Sequence, residues 1–444
     1  MKNKLPLYFL VLALSALLLG ITFGLCASVQ YIFPEFLKEY IPFSKLRPFH
    51  VTSVISWIVL SATGSIYFFL THVEKLQLYS TRLLKAHFWI FLVMGVAIYI
   101  SYLAGYTKGR EYFAFSPIII LPIVLGWVFF GINYFKTLRK SVSEWPVYYW
   151  MWGTGIVFMI YHLSEAHVWV FDYFRENFIK DMSVQWKSYG SFTGSWNMLV
   201  YGISIYIMSK IKRDPGMAKS KTVFFFYFLG LTNLMFGWAH HTYFLPTQPW
   251  IRYVAYGVSM TEWIVLASII YNWKRSLPKL DTENHPMATR FMMSADVWIL
   301  LNLILALLFS IPAINFFTHG THVTVAHSMG TTIGINTTIL FSALLFVVGK
   351  SNRTFNTNQF SIKRGLQLFN FSLFFFWCSL LAAGIKKSYW MYFSKEGLFS
   401  EMQDALSMVY ISIFVFGTTL SVSIFMISLP VLKEFVSRLK DIPN

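Results

Sequence analysis

Apolar residues run through this chain in long stretches separated by short polar loops. The stretches fall at roughly 7–30, 49–71, 86–104, 115–135, 147–171, 187–209, 222–244, 251–272, 291–315, 325–348, 367–386 and 406–432. Each has about the length of a membrane span, and a lone span in lipid must satisfy its backbone internally, which predicts helices throughout. The expected fold is an all-α polytopic membrane protein with twelve transmembrane helices. No long linker, low-complexity run or soluble appendage interrupts the pattern, so residues 1–444 are expected to form a single transmembrane domain. The first stretch follows Lys2 and Lys4 as a signal peptide would, but it is too long and no small-residue cleavage site ends it.

Composition agrees with the pattern. Hydrophobic residues make up 56% of the chain, aromatic residues 19% and charged residues only 12%, too apolar a balance for a water-soluble enzyme. The net charge of +17 invites a nucleic-acid reading, but the Lys and Arg lie in short loops and not in one patch, so no nucleic-acid partner is expected. About two thirds of them fall at the termini and in the loops after even-numbered spans, and by the positive-inside rule these segments face the cytoplasm. The chain is therefore expected in a bacterial inner (cytoplasmic) membrane, multi-pass, with both termini cytoplasmic. Two cysteines, Cys26 and Cys378, supply neither a thiolate metal site nor a disulfide framework, and there is no Cys-x-x-Cys-His motif, so any haem is held non-covalently.

Orientation gives each polar residue inside a span a depth. His240 and His241 sit near the outer end of span 7, while His50 and His327 sit near the outer beginnings of spans 2 and 10. A lone buried histidine is ordinarily a core residue with a satisfied hydrogen bond. Four histidines at one level, each costly in lipid, favour metal or haem ligation toward the outer side of the membrane. On span 10, His327 and Met329 are about 200° apart around a helix, so one helix could ligate two different centres. Imidazole and thioether both serve as axial haem ligands, although a Met in an apolar span is ordinarily a packing residue.

Several segments together resemble the large, haem-bearing subunit of bacterial nitric oxide reductases, within the haem-copper oxidase superfamily. They are Gln30-Tyr31-Ile32-Phe33-Pro34, Arg47-Pro48-Phe49-His50 with Trp57, Gly64 and Tyr67, and Gly109-Arg110-Glu111-Tyr112. His240-His241-Thr242-Tyr243-Phe244 precedes Glu262, and Asn315 with His319-Gly320-Thr321 leads to Thr324-Val325-Ala326-His327. The resemblance covers essentially the whole chain and implies a fold like oxidase subunit I. It implies two b haems, with His50 and Met329 at the low-spin haem, His327 at the high-spin haem and Arg110 on the propionates. It further implies a non-haem iron, or copper in the oxidase branch, on His240 and His241, and a calcium ion near Glu111. Glu262 resembles a carboxylate that supplies protons. Two molecules of nitric oxide, two electrons and two protons would then give nitrous oxide and water, with electrons expected from a cytochrome c-type subunit or another donor.

The departures concentrate at the second metal. Where the family has a third histidine ligand and two glutamates on span 6, this chain has Tyr189, Thr193 and Asn197, which share one helical face. Tyr189 could act as phenolate ligand or redox-active phenol, but its high pKa makes it a poorer ligand than imidazole. The family's second histidine on span 10 is Met329. Nearby on span 5, His162, Glu165 and His167 offer a substitute ligand, against the blander expectation of pairing with loops or with Arg175. The alternatives to nitric oxide reduction are a haem-binding homologue without that chemistry (an electron carrier, gas sensor or assembly factor) and a C-type oxygen-reducing oxidase.

Overall fold

The computed structural model describes residues 4–108, 110–138, 141–265, 267–268, 285–349, 353–394 and 397–441. The described residues are helical with short connections. We label the long helices α1 (Leu5–Ile32), α2 (Phe43–Phe68), α3 (Thr81–Leu103), α4 (Ile120–Thr137), α5 (Val147–Glu165), α6 (Phe178–Ile211), α7 (Lys221–Phe236) and α8 (Pro249–Met260). They continue with α9 (Pro286–Ser310), α10 (His322–Val348), α11 (Arg353–Tyr389) and α12 (Phe399–Asp441). Helix starts follow local chemistry, because the first turn leaves N–H groups without helical partners. The Ser80 hydroxyl accepts from Leu83 N at α3, the Asn177 amide oxygen from Lys180 N at α6 and the Thr321 hydroxyl from Val323 N at α10.

Among the described residues, nine helices are long and apolar enough to cross a membrane, against the twelve expected. The difference has a physical source. The stretches expected at 147–171 and 187–209 do fold as α5 and α6, but Tyr, Trp, Ser and Gly lower their hydropathy while packing well inside a bundle. Of the stretch expected at 251–272, residues 266 and 269–272 lie outside the described residues.

The described chain divides into two compact units. The first contains Met1–Ala13, Ile58–Asn284 and Leu439–Asn444. Its centre is aromatic: Tyr206 stacks 4.5 Å from Phe69 and packs 5.5 Å from Trp152. Small residues let these helices close. A Cβ at Gly202 would stand 2.7 Å from the Trp152 indole, and one at Gly155 2.7 Å from Leu199. Two part-buried polar links cross between its elements: Asn133 donates to Ser80 O at 2.9 Å and accepts from Ser80 N at 3.0 Å, and Tyr206 donates to Glu74 at 2.8 Å.

The second unit contains Leu14–Trp57 and His285–Arg438. Its α10 is α-helical from His322 to Met329, widens to a π-helix over Gly330–Thr337 and returns to α-helix from Thr338. The Trp57 indole N–H donates to the Thr337 hydroxyl at 3.0 Å. At the far end of α10, Gly349 takes a left-handed φ of 65°, and Arg438 donates to the carbonyls of Val347 and Val348, supplying the positive charge a helix C-terminus favours.

Candidate metal centre

Within the second unit, α2 carries His50 and α10 carries His327 and Met329, all three half-buried. The Nδ1 of His50 lies 2.7 Å from the carbonyl oxygen of Gly20 on α1. A carbonyl can only accept, so this contact fixes the proton on Nδ1 and leaves Nε2 as the lone-pair nitrogen, the state of a ligating imidazole. Gly24, one turn further along α1, lies flat against the ring, where a Cβ would stand 2.6 Å from Nδ1. On α10, the ring of Phe309 meets that of His327 edge to face at 4.8 Å. His327 and Met329 both precede the π-helical turn, so the α-helical spacing that separates their faces holds where they stand. An anchored imidazole, a second imidazole and a thioether form a donor set that fits haem.

Within the first unit, His240 and His241 lie in a 3₁₀ turn, Gly237–Thr242, that follows α7. Their ring centroids are 4.2 Å apart. The Trp186 indole of α6 stacks on His241 at 5.7 Å with an interplanar angle of 15°, and Ser259 Oγ lies 3.5 Å from His240 Nδ1. A Cβ at Gly190 would stand 3.0 Å from Trp238 and 3.9 Å from His241. The face of α6 turned toward the pair therefore carries Trp186 and Gly190. Tyr189, one residue round the helix, packs 5.3 Å from Tyr112 and 5.5 Å from Phe113, and Thr193 donates back to the Tyr189 carbonyl. Among the described residues, no group of three or more His, Cys, Asp or Glu gathers as a metal-holding set. Two adjacent histidines are fewer than the three protein ligands a catalytic site of this kind ordinarily provides, and a calcium ion would ask for six to eight oxygens. Among the described residues, the side chains present do not assemble a site that fits a second metal or calcium.

The loop after α3 makes its own ion pair. Arg110 donates to both oxygens of Asp181, at 3.0 and 3.1 Å, and to Gln185 at 3.0 Å, with its guanidinium 4.3 Å from the Trp169 ring centroid. Glu111 precedes Tyr112, whose φ of 58° is uncommon outside glycine and marks a strained turn at this loop. Glu262 is half-buried in the helical residues after Met260.

Of the α5 group, His162 Nδ1 meets Glu165 at 3.0 Å, Glu165 also accepts from Lys187 of α6, and His167 Nδ1 donates to the Leu163 carbonyl at 2.8 Å. Both imidazoles are thus engaged at Nδ1, with Lys187 as the cation beside Glu165, while their buried Nε2 atoms have no hydrogen-bond partner among the described residues; Arg175 pairs with Asp172 instead. Sequence reasoning passed over His87 of α3, which is fully buried among Phe9, Phe91 and Phe130 at 5.2, 4.4 and 5.5 Å. A histidine inside an apolar span is the signal that could have found it.

Known proteins show the same fold and related sequences. A nitric oxide reductase subunit of Stutzerimonas stutzeri is 21% identical over 347 residues, covering 72% of this chain and 69% of its own length. A cytochrome c oxidase subunit 1 homolog of Agrobacterium tumefaciens is 22% identical over 74% of this chain and 64% of its own length. A cbb3-type cytochrome c oxidase subunit of Stutzerimonas stutzeri is 22% identical over 75% of this chain and 72% of its own length. The solved structure of a heme-copper terminal oxidase dimer superposes with a TM-score of 0.71 at 13% identity, covering 98% of this chain and 85% of that one. The apolar helices and these relatives make the chain a multi-pass membrane protein. Residues 4–419 match the pattern of cytochrome c and quinol oxidase polypeptide I, and the chain belongs to that family.

Proposed function

We propose that this chain is the haem-bearing subunit of a respiratory nitric oxide reductase in a bacterial inner membrane, with both termini cytoplasmic and a separate cytochrome c-type donor. The observation that carries the reading is the His50 imidazole, held at Nδ1 by Gly20 and seated on Gly24, as a haem ligand requires. Similarity to a nitric oxide reductase subunit supports the choice of substrate.

On this reading His50 and Met329 hold a low-spin haem b and His327 a second haem b. Bound haem would supply one-electron transfer and the binding of a diatomic gas. The protein's own part is to fix ligand orientation through Gly20 and Phe309 and to exclude bulk water with the apolar faces of α9 and α10. Glu262 is assigned to proton supply, Arg110 to the haem propionates once released from Asp181, and Glu111 to the same loop. No step is assigned to a second metal, for which the histidine pair falls short.

That shortfall favours a second reading, a haem-bearing electron carrier without gas chemistry. Purified protein distinguishes the two. Two b haems per chain and nitric oxide consumption that His327→Ala abolishes support the reductase. Two haems without consumption of nitric oxide or oxygen support the carrier, and oxygen consumption points to an oxidase. A chain without haem sinks all three.

A further inference from the structure

We propose that Asn302 and Thr331 act together as a positioning device that fixes the turn of α10 bearing His327 and Met329, and so sets the axial ligation of the haems. The inference rests on the proposed role of those two residues as ligands, and every contact it uses lies within the second unit.

Thr331 is the hinge of the arrangement. Its hydroxyl donates to the His327 carbonyl at 3.1 Å and accepts from Asn302 Nδ2 at 2.7 Å. A single hydroxyl thereby ties α9 to the backbone of a ligand residue. The tie falls where the helix changes form, since the π-helix begins at Gly330, directly after Met329. At such a transition the carbonyls shift from one hydrogen-bonding register to another, and hydroxyls can take up what the backbone gives up. The pattern is visible here. Thr331 and Thr332 donate four residues back, the latter to Ser328 O at 2.7 Å; Thr337 donates five residues back, to Thr332 O at 2.8 Å.

Asn302 is placed against α10 as tightly as its chemistry allows. It is 2% exposed, and a Cβ on Gly330 would collide with its Oδ1, so the glycine is the seat on which the amide rests. That Oδ1 has no hydrogen-bond partner. An apolar side chain would leave no buried unsatisfied oxygen, so burial alone gives no reason for asparagine here. The donor it presents to Thr331 does. One turn further on, Gly334 receives the Trp298 indole, where a Cβ would stand 2.8 Å away, and Trp298 donates to Asn370 at 3.0 Å. The widened turn is thus gripped from α9 at two successive glycines, with the amide nearer the ligands.

The test uses full-length protein purified with its native haem complement and four variants: Thr331→Val, Thr331→Ser, Asn302→Leu and the Val/Leu double variant. Electron paramagnetic resonance of the ferric low-spin haem, the near-infrared methionine-to-iron band and a redox titration are recorded beside total haem and the unfolding midpoint. Thr331→Val and Asn302→Leu are expected to move the low-spin signature and the reduction potential, and to lower haem retention by about tenfold, as loss of an outer partner does. Thr331→Ser is expected to keep the parent spectrum. The double variant is expected to be no worse than either single one, because each breaks the same link. Parent-like spectra and potentials in both Thr331→Val and Asn302→Leu would overturn the positioning role while leaving the haem reading intact. Absence of haem from the parent protein would overturn both. Should Thr331→Val fail to fold, Asn302→Leu against Thr331→Ser decides the matter by the same readouts.

Discussion

The imidazole of His50 is held 2.7 Å from the carbonyl of Gly20 and lies against Gly24. The two glycines do different work: the first accepts a hydrogen bond from the proton-bearing nitrogen, and the second removes a side chain that would occupy the ring's place. Gly24→Ala puts a methyl group 2.6 Å from Nδ1, well inside van der Waals contact, so the ring must move. Haem occupancy at the low-spin site is expected to fall by about tenfold or more, read from the haem-to-protein ratio of purified variant. An unchanged ratio would mean that the ring tolerates displacement and that its anchoring is incidental.

Hydropathy made the helices legible, because membrane-length apolar runs have few alternatives to helix. The same logic exposed His50, His240, His241 and His327, since an imidazole inside such a run stands out against its neighbours. Contacts between distant residues were not legible. The partner of His50 lies 30 residues away and that of Arg110 71 residues away, and no local pattern announces either. Helix rotation was equally hidden. A shared face at Tyr189, Thr193 and Asn197 follows from spacing, but packing turns Trp186 and Gly190 toward the histidine pair, about 100° per residue round the helix. The π-helix after Met329 falls where Asn302 and Trp298 pack against Gly330 and Gly334, contacts that a single-helix reading cannot see.

On the proposed ligation, Met329 would set the electronic character of the low-spin haem. A thioether paired with imidazole raises the reduction potential relative to two imidazoles. Met329→His is therefore expected to lower it by on the order of a hundred millivolts, a modest part of the ~0.8 V range that axial ligands command. Redox titration of the purified variant reads this directly, with loss of the near-infrared methionine band as its companion. A potential that does not move would place Met329 among packing residues.

The second metal offers a test in the opposite direction. If the missing ligand were simply Tyr189, restoring a histidine there would complete a three-histidine set. The ring of Tyr189 instead packs with Tyr112 and Phe113, and the side of α6 facing the pair is occupied by Trp186 and Gly190. Tyr189→His is expected to leave the non-haem iron and copper content of purified protein where it was. A gain of one metal per chain in elemental analysis would show that α6 turns further than this packing allows.

Arg110 and Asp181 form a pair in which both side chains are mostly buried, 15% and 20% exposed, and the guanidinium also rests on Trp169. Removing the carboxylate strands a cation that keeps only Gln185 and an aromatic face. Asp181→Ala is expected to cost about 1–3 kcal/mol, the usual range for leaving a buried charged donor short of its acceptor. In detergent this reads as a lower unfolding midpoint, and Asp181→Asn should recover part of it by keeping one oxygen. The haem, if its propionates engage Arg110, adds a second acceptor, so the loss should be larger in haem-depleted protein than in haem-replete protein. Equal losses in the two preparations would separate Arg110 from the haem, and a change of only about 0–1 kcal/mol in both would mark an ordinary surface ion pair.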